Sequence, residues 1–551
     1  MTQSSLRGEG SAVEEAIPPA PRKGSASDGR GRHGGGGRGG KKRDAKGRSP
    51  ARRVLRWSAM VLALVVLGTA GAGYLYYQHL NGNIRKGQRS SGDSKAQRSR
   101  PNSAGQMPVN ILLIGSDSRN SDANVALGGS RDNRGTPPRG DVQMLIHLAA
   151  DRKSAAVVSI PRDTRVDIPK CTDPDTGKVY PPVNEIINES LARGGAGCTL
   201  ATWESLTGVY IDHWMTIDFA GVVKMADAIG GVEVCVKQNV WDRPTPLAPG
   251  GSGLKLTAGK HKVKGKEALQ WLRTRHAWGS DLLRARAQHM YMNSMIRTLR
   301  SQNVFTDSGR LMGLAEAATK SLQVSEEIGT VEKLYHLAMQ LKTVPTDRIT
   351  MTTMPNVADP QDDNHVVPDG AGATKMWKML RDDVPFDDKG PAPDAKNAKK
   401  HTGESAAGRT PSVQADRLGV LVQNGTRTAT QAPVGGRARE IGQELAGKGF
   451  TRATADTSAA LSEEETLVRY PSADLEGDAQ SVAKALGVPL SSVRKSTDVS
   501  GVTVVVGADW RTGSTYPKEA TPKAGDLPDN SDAINGSDES QCMDVYAPYR
   551  W

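Results

Sequence analysis

The stretch Ala155-Ala156-Val157-Val158-Ser159-Ile160-Pro161-Arg162-Asp163 decides how the chain is read. A short apolar run stops at a proline and at once presents an arginine and an aspartate. Such a run reads as a strand buried on both faces, and Pro161 cannot continue a ladder, so Arg162 is expected where the strand leaves the sheet. Ligands of open α/β sheets bind at that end. Alone, this would be a core strand followed by a charged turn. Arginines and aspartates placed the same way elsewhere give it weight.

Upstream, the apolar run 109–114 ends at Gly115-Ser116-Asp117, and Arg139-Gly140-Asp141 leads into a second strand over 142–148. Downstream, Val183, Ile186, Ile187 and Leu191 share one helical face over 182–193, with Gly194-Gly195 as the stop. A short helix over 199–207, a strand over 214–217, a helix over 219–229 and a strand over 232–236 follow. That alternation argues a layered α/β domain. A helix over 264–273 then delivers Arg273 and Arg275, and a longer one over 281–300 carries Arg284 and Gln288 one turn apart on the same side.

The 551 residues leave room for two or three domains, and 37% hydrophobic content means that part of the chain lies outside any core. The net charge of +12 is unevenly distributed. Residues 1–56 hold fourteen Lys/Arg against five Asp/Glu, a local +9 that leaves +3 for all the rest. A net +3 gives little support to a general polyanion surface on the folded part, no nucleic-acid partner is expected, and anion binding must come from local clusters.

Residues 1–53 read as a disordered basic tail. The uncharged stretch 57–77 has the ~20 residues that a membrane-crossing helix needs, with Trp57 and Tyr74, Tyr76 and Tyr77 at its ends, within a span placed at 54–77. Lys/Arg crowd its N-terminal side, so the N-terminus is expected in the cytoplasm and everything beyond outside the cell membrane. Residues 78–107 read as a flexible tether. Outside, disulfides are permitted: Cys171 and Cys198 can close a 27-residue loop, stabilising it by roughly 3 kcal/mol. Cys235 reads as a buried thiol in an apolar strand, with Cys542 either its partner or free.

In order and spacing, Asn110 to Arg119, Arg139-Gly140-Asp141, Ser159 to Asp163, Asn188 before Gly194-Gly195, Leu206-Thr207-Gly208, Gly230-Gly231-Val232, and Gly265-Lys266-Glu267-Ala268-Leu269 ending in Arg273-x-Arg275 resemble the extracytoplasmic domain of the LytR-CpsA-Psr family. The resemblance implies an α/β/α domain with a central mixed sheet over 108–382. Beyond a linker over 383–415, residues 416–511 resemble the smaller LytR C-terminal α/β domain, and 512–551 read as a flexible acidic tail. The family resemblance further implies a phosphotransferase that moves a glycopolymer such as teichoic acid from a polyprenyl-diphosphate carrier to peptidoglycan, with hydrolysis of the diphosphate as a side activity. Arg139, Arg162, Arg273, Arg275, Arg284 and Gln288 stand at the diphosphate-binding positions. Arg162, Arg273, Arg275 and Asp163 are the catalytic candidates, and Asp117 and Asp141 match the carboxylates that hold Mg²⁺. The chemistry agrees: guanidinium forks and a hard cation on oxygen ligands compensate the charge of a departing phosphate.

Three departures from the family pattern stand out. Gly140 and Val142 flank Asp141, the insert between Asp117 and Asp141 is long, and Ala287-Gln288-His289 stands in place of Arg-Gln-Gln, so that one basic contact is lost unless Arg286 replaces it. Two other readings compete with the ligase. One is a transcriptional attenuator of envelope genes, using the basic tail; the other is a wall-binding scaffold whose catalytic cluster has decayed.

Overall fold

The computed structural model describes residues 50–99, 101–102, 104–117, 135–246, 248–301, 307–390, 410–428, 432–463, 465–517 and 522–551. The basic tail up to residue 49, the insert over 118–134 and the linker over 391–409 lie outside the described residues. Two compact units divide the chain, residues 1–70 and 71–551. The described part of the first belongs to helix α1 (Pro50–Asn83), whose stretch Arg53–Asn83 is long and apolar enough to cross a membrane.

The second unit is built on an eight-stranded mixed sheet. Its strands are β1 (Arg85–Gly87), β2 (Val109–Ser116), β3 (Gly140–Leu148), β4 (Ala155–Ser159) and β5 (His213–Ile217). A lobe of four short strands follows, β6 (Val232–Val236), β7 (Val240–Trp241), β8 (Lys255–Leu256) and β9 (Gly259–Val263), before β10 (Leu322–Ser325) and β11 (Ile349–Thr353) return to the main sheet. A smaller five-stranded sheet contains β12 (Gly419–Asn424), β13 (Arg452–Ala460), β14 (Leu467–Tyr470), β15 (Val493–Lys495) and β16 (Val502–Val506), and β17 (Ile534–Asn535) closes the main sheet. The main order is β1-β10-β5-β2-β3-β4-β11-β17. Among the described residues the further α-helices are α2 (Ser190–Thr207), α3 (Phe219–Ala228), α4 (Gly265–Arg273), α5 (Asp281–Ser301), α6 (Ser308–Ser321), α7 (Val331–Thr343), α8 (Gly370–Arg381), α9 (Arg437–Gly447) and α10 (Glu476–Leu486).

Side-chain parity along β4 shows how the sheet is layered. Ala156 and Val158 enter a core with Trp203 of α2 and Trp377 of α8, whereas Ala155 and Val157 pack with Met292 and Ile296 of α5. All five residues of β4 are buried, as expected for a strand covered on both faces. Residue 159 shares the parity of 155 and 157, so Ser159 faces α5. The small domain has its own core around Val420, Val504, Ile441 and Trp510.

Four expectations need correction. The tether over 78–107 is largely built into the domain: Ile84 is buried, β1 pairs in parallel with β10, and Arg89 reaches Glu204 at 2.8 Å. The helix over 182–193 is mostly something else, because Val183–Ile186 pairs as a strand with Arg165–Ile168, and Gly194-Gly195 kinks α2 where a stop was expected. The linker over 383–415 begins inside the fold, with Phe386 buried and Asp387 held by Arg348 at 2.9 Å.

The fourth concerns the acidic tail over 512–551. Its β17 pairs with β11, and Ile534, Met543, Val545 and Tyr549 are buried beside Val234, Trp271 and Trp278. Each such side chain contributes roughly 1.5–3 kcal/mol of burial. Cys542 is bonded to Cys235, which is therefore not a thiol, and a second disulfide joins Cys171 to Cys198.

Candidate active site

Proline ends β4 by removing a donor, and the chain turns through Thr164, whose amide and hydroxyl both donate to the Pro161 carbonyl. That turn places Arg162 beside the start of β3. Its Nη1 donates to Asp141 Oδ1 at 2.9 Å and its Nε to Asp163 Oδ2 at 3.2 Å. Burial opposes the charge of Arg162, but Asp141, Asp163 and Asp281 outweigh it and raise the guanidinium pKa above its ordinary value.

A second trio comes from α4 and α5. Asp281, in the first turn of α5, forms ion pairs through Oδ1 with Arg275 Nε at 3.3 Å and Arg284 Nη1 at 3.2 Å. Arg284 is largely buried, and burial, together with the nearby charge of Arg162, pulls its pKa below the ordinary value, with Asp281 opposing. Two members of each trio, Asp141 with Arg162 and Asp281 with Arg284, line one cleft together with Ser159 and Gln288. The two guanidiniums are near enough for the charge of Arg162 to act on Arg284, and each is held by carboxylates.

The remaining candidates lie around this cleft. Gln288 donates from Nε2 to the Leu272 carbonyl at 3.2 Å, fastening α5 to the end of α4. Arg273 lies with its guanidinium 5.0 Å from the centre of the Phe219 ring. Arg139 meets Glu189 at 2.5 Å, and its amide donates to Asp117 Oδ1 at 2.7 Å. Arg139, Arg273 and Arg275 stand outside the cleft lining. Arg286 does not replace the lost basic contact, since it turns to Asp532 and Gln541 of segment 522–551. Beside Asp281, Leu282 and Leu283 are exposed.

Sequence reasoning missed Asp281 as a site residue, although its place one turn before Arg284 was a usable signal. It also missed the pair beneath the cleft, where Ser159 Oγ and His289 Nε2 are 2.5 Å apart and fully buried. Burial, and then the charge of Arg286, push the His289 pKa down to about 3, so the ring is neutral.

The donor set bears on the expected Mg²⁺. Among the described residues no three His, Cys, Asp or Glu side chains come together to hold a metal. Asp117 and Asp141 nevertheless flank the hydrogen-bonded junction of β2 and β3, where Ser116 pairs with Gly140. Mg²⁺ habitually takes one or two carboxylates and completes its shell from substrate phosphates and water. Asp141, which lines the cleft, and Asp117 at the neighbouring strand end are oxygen ligands of the kind that habit uses.

A family model described as the LytR_cpsA_psr family matches residues 74–382, and one described as LytR cell envelope-related transcriptional attenuator matches 417–510. The cell wall biosynthesis protein LcpA of Corynebacterium glutamicum is 29% identical over 328 residues, 55% of this chain and 60% of the relative. This chain therefore spans about 60% of that relative's length. The polyisoprenyl-teichoic acid–peptidoglycan teichoic acid transferase TagT of Bacillus subtilis is 25% identical over 311 residues, 55% of this chain and 88% of the relative. Among solved structures, a LytR-Csp2A-Psr enzyme from Actinomyces oris aligns with a TM-score of 0.40 at 15% identity, covering 54% of this chain and 95% of that one.

Proposed function

The chain belongs to the LytR-CpsA-Psr family, and from that premise we propose that it is a membrane-anchored phosphotransferase moving a glycopolymer from a polyprenyl-diphosphate carrier to peptidoglycan. The observation that carries this reading is the convergence of Arg162 and Arg284, each held by carboxylates, in one cleft at the end of β4. An acceptor hydroxyl attacks the polymer-side phosphorus, a P–O bond forms, and the bond to the carrier phosphate breaks with its electron pair leaving as polyprenyl phosphate. Arg162 and Arg284 bind the separating charges, and their hydrogen bonds strengthen as the bridging oxygen gains charge. Asp163, which accepts from Arg162 Nε at 3.2 Å, takes the hydroxyl proton in this reading. With water as acceptor, the same step is hydrolysis. Asp117 and Asp141 would hold Mg²⁺, which when bound supplies further charge compensation to the diphosphate.

Leu282 and Leu283 give the carrier chain apolar surface next to the cleft. An extracytoplasmic place for the domain is supported by the two disulfides and by the arginines crowding the N-terminal side of the apolar helix. The test is transfer of labelled polymer from a lipid diphosphate to peptidoglycan by the detergent-solubilised full chain with Mg²⁺. Polymer-linked peptidoglycan is expected, and no release of lipid phosphate under any acceptor condition would overturn the assignment.

A further inference from the structure

Away from the cleft, the lobe formed by β6 to β9 carries a net positive charge. Residues 232–263 hold five Lys/Arg and two acidic residues, Asp242, which is buried, and Glu233, which pairs with Lys260 at 3.0 Å, while Lys237 pairs with Asp544 at 2.8 Å. Across the β7–β8 pair Trp241 faces Lys255, whose ammonium lies 4.7 Å from the centre of the Trp241 ring and 4.4 Å from that of Trp551. The Arg243 guanidinium lies 4.9 Å from the Trp241 ring. Segment 522–551 completes the surface: Trp551 Nε1 donates to the Val240 carbonyl at 3.0 Å, and Asn239 Nδ2 donates to the Trp551 carbonyl at 3.0 Å. Trp241, Trp551 and Tyr546 are 39%, 50% and 55% exposed. Among the described residues neither Lys255 nor Arg243 has a carboxylate at ion-pair distance.

Two ordered tryptophans left in water beside unneutralised cations are a costly arrangement for a surface with no partner. Indole faces pack against the C–H faces of sugar rings, while Lys and Arg pair with phosphate or carboxylate substituents. A bilayer surface also suits tryptophan and lysine, and a vesicle arm in the test separates it from a saccharide.

Resting on the reading of the cleft as a glycopolymer-transfer site, we propose that Trp241, Trp551, Lys255 and Arg243 form a second binding surface that holds the anionic saccharide chain of the polymer at a distance from its diphosphate. The probe is phosphomannan, with neutral mannan and vesicles of anionic phospholipid as controls, titrated against the full chain in detergent and followed by tryptophan fluorescence. The wild-type chain should bind phosphomannan, weaken with salt, and bind neutral mannan far less. Lys255→Glu, which removes no buried contact, should weaken phosphomannan binding by roughly tenfold or more, and Trp241→Ala with Trp551→Ala should do the same with loss of the fluorescence signal. Phosphomannan affinity unchanged in these variants would overturn the proposal, as would variant-sensitive binding to vesicles with none to phosphomannan. Cleavage of a lipid diphosphate bearing a single sugar is measured on the same wild-type chain. A chain that cleaves it but ignores phosphomannan removes the second surface alone, whereas one that binds phosphomannan but cannot cleave removes the assignment of the cleft.

Discussion

Burial separates the arginines of the candidate site into two kinds. The Arg284 and Arg162 side chains are 12% and 22% exposed, whereas those of Arg275 and Arg139 are 49% and 52% exposed. Charges half in water are screened, so alanine at 139 or 275 should cost about 1 kcal/mol or less of transition-state stabilisation, read as kcat/KM. Asp281→Asn should cost more, because both Arg275 and Arg284 lose the negative charge that pairs with them. His289 makes a separate prediction. Its folded pKa of about 3 lies below the ordinary 6.5, so between these values the unfolded chain binds a proton that the folded chain does not. Stability therefore falls as pH drops through that window, by about 2 kcal/mol from this group between pH 6.5 and pH 5. Denaturant melts across that range check it, and His289→Gln should flatten the slope. Arg162, Asp141 and Asp163 were readable from strand ends, but the Ser159–His289 contact depends on α5 packing beneath β4, which no local pattern encodes.

Among the elements, β4 was the easiest to read because burial on both faces leaves an unbroken apolar run. Val183, Ile186, Ile187 and Leu191 fitted a helical period, yet the first two lie in a strand whose partner, Arg165–Ile168, is fixed by tertiary pairing. Segment 522–551 was hidden by composition: its few apolar residues are scattered among acids, and only the docked structure shows that Ile534, Met543, Val545 and Tyr549 share one core. The Cys235–Cys542 bond makes that docking testable. Cys542→Ser should lower stability by about 2–5 kcal/mol, seen as a reduced melting temperature. An unchanged melting curve would mean that the segment does not hold the lobe together. Because Asp532 and Gln541 receive Arg286 on the site helix α5, the same variant should also reduce lipid-diphosphate cleavage.

At the scale of the whole molecule, the domain starts earlier than its composition suggests. Arg89 pairs with Glu204, whose side chain is 1% exposed, and Trp214 Nε1 donates to the Gln88 carbonyl at 3.0 Å. A fragment beginning at residue 105 leaves the Glu204 charge buried without its partner, a loss of roughly 3–5 kcal/mol. It should melt well below a fragment beginning at residue 79, and equal melting temperatures would mean that residues 84–99 add nothing. The central claim is that two partly buried guanidiniums from different segments act on one diphosphate. Its most direct measurement is kcat/KM for cleavage of a lipid-linked diphosphate by the full chain carrying Arg162→Ala or Arg284→Ala, with melting temperatures recorded alongside. Each variant should lose about 2–4 kcal/mol of transition-state stabilisation, with little change in melting temperature. Turnover close to wild type in both would contradict the account.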